Sequence, residues 1–232
     1  MLALDFDGVI CNSINECLLT SFNAYFDRKE SNITDIPQDL QEYFSMNRFY
    51  VRPAREYLLL FKGFEAKIDN MTHSSFEGLK NLHAREMVPF GEKFFRERER
   101  SQIKDPKHWL SLHDIYDHVY EYLRNYDSSI FIVTTKDRDS VKKILDSYDL
   151  LGVVKDIYSK EISENKNELF KSLVSDYQEL IRRSSINFVD DNEWHLADVN
   201  SSSINLYFAN WGYAQRQYSH SFCEISSLGD IL

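Results

Sequence analysis

Two short apolar runs in this chain each end in a pair of acidic residues. The segment Leu2–Asp7 closes with acids at positions 5 and 7, and the segment Ile186–Asp191 closes with two adjacent acids. Carboxylates packed together repel one another, so some of them must stay protonated or bind a cation. Mg2+ prefers such hard oxygen ligands and typically binds through one or two carboxylates, water and a substrate phosphate. Two strands that each deliver acids at their C-terminal end therefore predict a site for a divalent metal.

Charge and cysteine content narrow the classes of protein to which the chain can belong. Its formal net charge of −10 argues against a nucleic-acid surface, which would need a clustered basic face. The three cysteines, Cys11, Cys17 and Cys223, are odd in number and show no CxxC spacing, which suggests neither a zinc site nor a disulfide framework. Because Met1 leads almost directly into the first apolar run, we expect neither a secretory signal nor a membrane span. We therefore expect a cytoplasmic protein with no membrane partner.

Apolar runs and helical periodicities alternate along much of the chain. Three helical patterns have their apolar residues on one face, at Val119–Tyr126, Val141–Tyr148 and Leu169–Leu180. The runs rich in β-branched or aromatic residues predict five strands, at Leu2–Phe6, Ile130–Val133, Asp156–Tyr158, Ile186–Val189 and Ile204–Phe208. Strands that alternate with helices indicate an α/β fold with a Rossmann-like parallel sheet covered on both sides. Ligands of such sheets bind beyond the C-terminal ends of the strands, where both acidic pairs lie.

The stretch from about residue 12 to residue 114 shows helical patterns and no convincing strand. It holds all four prolines of the chain, Pro37, Pro53, Pro89 and Pro106. We interpret these prolines as markers of loops between helices. The charged run Arg96–Arg100 within it has the composition of a solvated helix end. We predict an α-helical subdomain at residues 14–114, inserted into an α/β core formed by residues 1–13 and 115–232.

Four motifs resemble those of the haloacid dehalogenase superfamily, whose members are mostly phosphatases. Asp5–Val9 is similar to the first motif, DxDG[TV], and Ile130–Thr135 to the second, an apolar strand that ends in Thr or Ser. Lys166 at the start of a predicted helix resembles the third motif, and Phe188–Asp191 the fourth in its double-aspartate form. The segment Ile204–Tyr213, with its WGY turn, is similar to the phosphoglycolate phosphatase-like branch. The resemblance covers essentially the whole chain and implies a helical cap on the α/β core.

The resemblance implies a role for each motif residue. Asp5 would attack phosphorus and form an aspartyl-phosphate, which divides one difficult step into two. Asp7 would protonate the leaving oxygen and then activate water, and an acid at this position is typical of phosphate-ester chemistry. Gly8 would let the chain turn without a Cβ that obstructs the phosphate. Thr134 would hydrogen-bond the phosphoryl oxygens, and Lys166 would neutralise charge on the nucleophile and the phosphate.

The same resemblance implies the ligand sets. Mg2+ would bridge Asp5, the phosphate and Asp191, with Asp190 and the Asp7 carbonyl nearby. The substrate would contact Gly8, Thr134, Thr135 and Lys166, and Arg48 in the cap is a candidate recognition residue. The chain departs from the family pattern at Asn12, where an Asp is common, and in two further places. Asn167 follows Lys166 where proline is usual, which leaves Lys160 as a rival for the lysine role. His195 stands where many relatives carry a second acid at the metal site.

The sequence thus predicts an enzyme, a Mg2+-dependent phosphatase that hydrolyses a small phosphomonoester through an aspartyl-phosphate. Two alternatives stay open. A phosphomutase similar to β-phosphoglucomutase would keep the phosphoenzyme and return the phosphate to a sugar. A non-catalytic phosphometabolite-binding protein on the same scaffold would be expected to lose a catalytic carboxylate, whereas all of them are present here. The sequence indicates neither the substrate nor the oligomeric state.

Overall fold

The computed structural model describes residues 1–182, 184–213 and 222–231. Its strands are β1 (Leu2–Leu4), β2 (Cys11–Asn12), β3 (Asp114–Ile115), β4 (Ile130–Val133), β5 (Val154–Tyr158), β6 (Ile186–Asp190), β7 (Ile204–Ala209) and β8 (Cys223–Ile225). Its α-helices are α1 (Ile14–Phe26), α2 (Gln38–Asn47), α3 (Tyr57–Glu65), α4 (His73–Leu82), α5 (Ala84–Lys104), α6 (Pro106–Leu110), α7 (Asp117–Arg124), α8 (Arg138–Ser147), α9 (Lys166–Asp176), α10 (Gln178–Ile181) and α11 (Glu193–Asp198).

The chain divides into two compact units. Met1–Asn12 and Asp114–Leu232 form the first, which we call the sheet unit, and Ser13–His113 form the second, the helical unit. The described part of the helical unit contains helices only, as the sequence predicts. It has its own apolar core, rich in aromatic side chains, in which Phe44, Phe61 and Phe94 are almost fully buried.

The sheet unit is built on six strands in the order β5-β4-β1-β6-β7-β8, and every described pairing in this sheet is parallel. The central strands are buried on both faces, which explains their uninterrupted apolar sequences. Leu4 of β1 pairs with Ile132 on one side and with Val189 on the other. The C-terminal ends of β1, β4 and β6 therefore meet at one edge. The predicted α/β class with a Rossmann-like parallel sheet is confirmed.

Three strands were not predicted. β8 adds to the edge of the sheet beside β7, and β2 pairs with β3 in a separate antiparallel ribbon where the chain leaves and re-enters the sheet unit. Each has only two or three residues, too few to show an alternating pattern. At the other boundaries the differences are small: β1 ends at Leu4 rather than at Phe6, and β5 begins at Val154.

Two expectations for the helical unit are wrong. Pro89 lies inside α5 rather than in a loop, while the other three prolines stand at helix starts, as expected. The charged run at positions 96–100 is not a solvated helix end, because Arg98 faces the interior and is only 4 % exposed. Among the described residues, no helix combines the length and the apolar character that a membrane crossing requires.

Candidate active site

Lys166 connects the ends of three central strands through its side chain. It is the first residue of α9, a position fixed by Asn165, whose side chain accepts hydrogen bonds from the first backbone N–H groups of the helix. The buried Lys166 ammonium donates to Asp5 Oδ1 at 2.7 Å and to the Val133 carbonyl at 2.6 Å. It also lies 3.2 Å from Asp190 Oδ2. Lys166 therefore joins the acids at the ends of β1 and β6.

Burial and charge act differently on the three ionisable groups of this cluster. Burial raises the pKa of Asp5; Lys166 opposes that rise and Asp190 adds to it. Burial alone would raise the pKa of Asp190, but Lys166 and His195 outweigh it and lower the pKa. For Lys166, burial works to lower the pKa, and the two carboxylates overcome it and raise the pKa. Lys166 is therefore a stable cation, and Asp190 is the carboxylate that is ionised most readily beside it.

Asp190 is hydrogen-bonded within the protein from several directions. Its Oδ1 accepts the backbone N–H of Asn192 at 2.9 Å, and its Oδ2 lies 3.2 Å from Nδ1 of His195 as well as close to Lys166. Asp5, Asp190 and His195 bring one potential ligand atom each to within 4.8 Å of the others. Because the Lys166 ammonium already contacts both carboxylates, a metal ion among these three residues would meet a buried positive charge. We therefore interpret this cluster as the support of Lys166.

Asp7 has a cationic neighbour that the sequence analysis missed. The Lys136 ammonium donates to both Asp7 carboxylate oxygens, at 3.1 Å and 3.3 Å, and the Lys136 side chain is almost completely buried. Lys136 follows Thr134 by two residues, just beyond the C-terminal end of β4. This position in the sequence could have indicated that Lys136 lies near Asp7, because β4 lies beside β1 and their C-terminal ends meet at the same edge of the sheet.

Asp191 is enclosed by glycine backbone. Gly8 has φ +90°, and a Cβ there would lie 2.3 Å from Asp191 Oδ2. A Cβ on Gly212 would lie 2.3 Å from Asp191 Cβ, and the N–H of Tyr213 donates to Asp191 Oδ2 at 2.7 Å. Any other residue at position 8 or 212 would displace this carboxylate. The WGY turn thus holds Asp191 against the Asp5–Gly8 segment.

The remaining predicted site residues lie in different surroundings. Thr134 is buried at the end of β4, where its hydroxyl accepts the N–H of Lys136 at 3.2 Å, and Thr135 beside it is partly exposed. Lys160 is partly exposed, with its ammonium 3.9 Å from Glu161, so Lys166 rather than Lys160 contacts Asp5.

Arg48 lies in the helical unit. Its guanidinium donates to the Val51 carbonyl at 3.0 Å and stacks over the Tyr57 ring, with 5.1 Å between Cζ and the ring centroid. The residue is only 8 % exposed. These contacts explain Arg48 as part of the core of this unit, and its role in substrate recognition stays a prediction.

Four carboxylates lie at this edge of the sheet: Asp5, Asp7, Asp190 and Asp191. In the described part of the chain, the Lys136 ammonium contacts Asp7, and the Lys166 ammonium contacts Asp5 and Asp190. Clustered carboxylates with oxygen donors are the chemistry that suits a hard divalent cation. The donor set therefore fits Mg2+.

Comparisons with known proteins identify the fold. No protein-family profile matches the sequence, and no curated protein sequence matches it. Among solved structures, a haloacid dehalogenase-like hydrolase from Streptococcus pneumoniae aligns with a TM-score of 0.57 and 12 % identity, over 93 % of this chain and 86 % of that one. A predicted phosphoglycolate phosphatase from Haemophilus somnus gives a TM-score of 0.59 and 16 % identity, over 92 % and 86 %.

A β-phosphoglucomutase from a hyperthermophilic Pyrococcus strain is also similar, with a TM-score of 0.56 and 15 % identity over 100 % of this chain and 94 % of that one. These likenesses show that the chain has the haloacid dehalogenase-like fold. The resemblance found in the four motifs is thus confirmed at the level of the fold.

Proposed function

We propose that this protein is a Mg2+-dependent phosphatase that hydrolyses a small phosphomonoester through a phosphorylated Asp5. The observation that carries the proposal is the buried contact of 2.7 Å between Lys166 and Asp5, with a second carboxylate, Asp7, two residues further along the chain. A lysine beside the nucleophile offsets the repulsion between a carboxylate and an incoming phosphate. The fold that the chain shares with structures described as hydrolases and phosphatases supports the same chemistry.

Mg2+ would be held by Asp5, Asp191 and the Asp7 backbone carbonyl, with Asp190 in the surrounding shell. When bound, it would offset the negative charge of the carboxylates and of the incoming phosphate, and would help to orient the phosphate for in-line attack. The contacts of Asp190 with Lys166, His195 and Asn192 support the role of Asp190 in holding the lysine. The close approach of the Asp191 carboxylate to Gly8, three residues after Asp5, supports a direct ligand role for Asp191.

The residues of the chain would carry the reaction in two stages. In the first, an Asp5 carboxylate oxygen forms a bond to phosphorus while the ester oxygen departs with a proton from Asp7. In the second, Asp7 takes a proton from water, the water attacks phosphorus, and the bond to Asp5 breaks. The Lys166 ammonium and the Thr134 hydroxyl would hold the phosphoryl oxygens throughout. Lys136 would keep the Asp7 carboxylate oriented through its two hydrogen bonds.

A phosphomutase is the second candidate, because the fold is also that of a β-phosphoglucomutase. The two functions differ in the acceptor that takes the phosphate from Asp5, which is water in one case and a sugar hydroxyl in the other. A mutase would show a phosphoenzyme that resists water and would need a bisphosphate primer.

The experiment that tests the proposal is phosphate release from a panel of sugar, nucleotide and small-acid phosphomonoesters, with and without Mg2+. We expect release only with Mg2+, and the preferred ester would define the substrate class. Isomerisation of a sugar phosphate in the presence of its bisphosphate, without net phosphate release, would support the mutase instead. Tight binding of an ester without turnover of either kind would support a binding protein.

We expect Gly212→Ala to weaken Mg2+ binding by about 10–100-fold, a loss typical of changes around metal ligands. The new methyl group would stand 2.3 Å from Asp191 Cβ and force this carboxylate to move. The measurement is the Kd of Mg2+ by isothermal titration calorimetry. Gly152→Ala is the matched control, because a Cβ there meets nothing within 4 Å. Equal Mg2+ affinity in both variants would show that Asp191 is not a ligand.

We expect Lys136→Met to lower kcat by about 10²-fold, at the lower end of the contribution of acid–base catalysis, because Asp7 loses the two hydrogen bonds that orient it. KM should change much less, roughly twofold, since the lysine acts through Asp7 rather than on the ground-state ester. Steady-state kinetics on the preferred ester measures both. Lys142→Met, on the exposed side of α8, is the control. An unchanged kcat in Lys136→Met would exclude this positioning role.

A further inference from the structure

The helical unit contains a cavity of about 280 Å3 that has no part in the proposed reaction. Its walls come from α1, the loop that follows α1, the last turn of α5 and α6. Leu19, Trp109 and Leu112 supply apolar surface, and Trp109 is only 1 % exposed. Binding cavities for small molecules begin at about 300 Å3, so this one suits a compact ligand with an apolar part.

The walls of this cavity are held in place by contacts within the helical unit. The buried Asn23 side chain accepts the N–H of Glu30 at 2.9 Å and donates to the Glu30 carbonyl at 3.0 Å, which fixes the loop after α1. His108 of α6 contacts the Ser31 carbonyl through Nε2. The Trp109 indole N–H lies 3.5 Å from the buried Glu16 carboxylate. The cavity is therefore preformed, so a ligand would not need to order its walls.

Charged groups of both signs line the cavity. Lys104 lies at the exposed rim of the cavity and donates to the Ser31 hydroxyl at 3.5 Å, and among the described residues it has no carboxylate partner. Arg100 uses Nε for Glu97, at 2.6 Å, which leaves its two terminal nitrogens without a hydrogen bond to any residue that the structure describes. The Glu30 carboxylate likewise forms no ion pair within the described part of the chain.

Asp105 adds a second carboxylate to the lining. One of its oxygens caps α6 by accepting the N–H of His108 at 3.0 Å, and the other makes no hydrogen bond within the described ranges. The cavity thus presents two cations and two carboxylates beside an apolar floor, and the opposite charges do not pair with one another. A ligand that satisfies all of them must carry both a positive and a negative group.

We propose that this cavity binds a free α-amino acid with an apolar side chain. The ligand carboxylate would accept hydrogen bonds from Lys104 and Arg100, and its ammonium group would donate to Glu30 and Asp105. The side chain would lie against Trp109 and its apolar neighbours, where burial of apolar surface would favour binding. This inference is independent of the proposed phosphatase function, because every residue that carries it belongs to the helical unit.

The test is isothermal titration calorimetry of the intact protein with L-leucine, L-methionine and L-phenylalanine. The ligand concentration extends to about 10 mM, because a Kd above this value would mean very weak binding. We expect at least one of them to bind. Its analogue without the amino group and its analogue without the carboxylate should each bind at least tenfold more weakly, about 1.4 kcal/mol. For L-leucine these analogues are 4-methylpentanoate and 3-methylbutylamine.

Variants locate the bound amino acid. Lys104→Gln and Glu30→Gln should each weaken binding at least tenfold, whereas Lys107→Gln, an exposed change that does not line the cavity, should not. Asp5→Asn in the sheet unit should leave the affinity unchanged. The proposal is overturned if none of the three amino acids binds, if either analogue binds as tightly as the amino acid, or if Lys104→Gln retains full affinity. Loss of binding in Asp5→Asn would also overturn it, by moving the ligand to the other site.

Discussion

Asp5→Asn lowers kcat for Mg2+-dependent phosphate release by about 10⁴–10⁶-fold, a loss typical of removing the nucleophile of a covalent mechanism. An amide has nearly the shape of the carboxylate, but its oxygen is a poor nucleophile and a poor metal ligand. Lys166 keeps its contact with Asp190 at 3.2 Å in this variant, so the buried lysine retains a carboxylate partner and the fold should persist. Steady-state kinetics on the preferred ester measures kcat, and circular dichroism shows whether the fold persists.

Asp156→Asn is the matched control for this experiment. Asp156 lies on β5 of the same sheet, but its carboxylate pairs with Arg138 at 2.6 Å. We expect this variant to retain wild-type kcat within a small factor. Equal phosphate release by Asp5→Asn, after removal of any contaminating phosphatase, would exclude Asp5 as the nucleophile.

Arg98→Met destabilises the helical unit by about 3–5 kcal/mol, because it removes the arginine that pairs with the buried Glu16 carboxylate. Arg98 donates to both Glu16 oxygens at 2.8 Å, and the two side chains are 5 % and 0 % exposed. Thr20 and Trp109 also approach this carboxylate, at 2.9 Å and 3.5 Å, without a charge, and the buried His113 ring lies 3.9 Å from it. Chemical denaturation followed by circular dichroism measures the free energy of unfolding.

Two variants test whether the lost ion pair causes this destabilisation. Arg96→Met changes an exposed arginine on the same helix and should alter the unfolding free energy by no more than about 0.5 kcal/mol. Adding Glu16→Gln to Arg98→Met makes the buried Glu16 side chain neutral and should recover part of the loss. A cost below about 1 kcal/mol for Arg98→Met alone would mean that the Glu16–Arg98 pair behaves like an exposed one.

The central strands were predictable because of where they lie. β1, β4 and β6 are buried on both faces, so each is a short apolar run, and the polar residues that follow each run mark the C-terminal edge of the sheet. β8 was missed because Cys223 and Glu224, two of its three residues, are exposed at the edge of the sheet. Nothing in so short a segment distinguishes it from a loop.

The helical unit shows where local patterns fail. The charged run around Arg98 is typical of a solvated helix, and only a partner 82 positions away in the sequence explains why this arginine is buried. The helix also continues through Pro89, although proline removes one backbone hydrogen bond. In both cases tertiary packing determines the outcome, and a short sequence window contains no information about it.

The candidate site was predictable in its acids but not in the neighbours of those acids. The sequence left Lys160 as a rival of Lys166, because Lys160 lies in the short segment between β5 and α9 and Lys166 is the first residue of α9. The contact of Lys166 with Asp5 depends on where the Asn165 cap begins the helix. Lys136 was missed because a lysine just after a strand is common on protein surfaces, and only the tertiary structure brings it to Asp7.

The most direct test of the proposed function is detection of the phosphoryl group on Asp5. Protein that is turning over its preferred ester with Mg2+ is quenched with borohydride, which reduces an aspartyl-phosphate to homoserine, and the peptides are analysed by mass spectrometry. The proposal predicts homoserine at position 5 in the wild type and none without ester. Steady phosphate release with an unmodified position 5, or with the phosphoryl group on another residue, would contradict it.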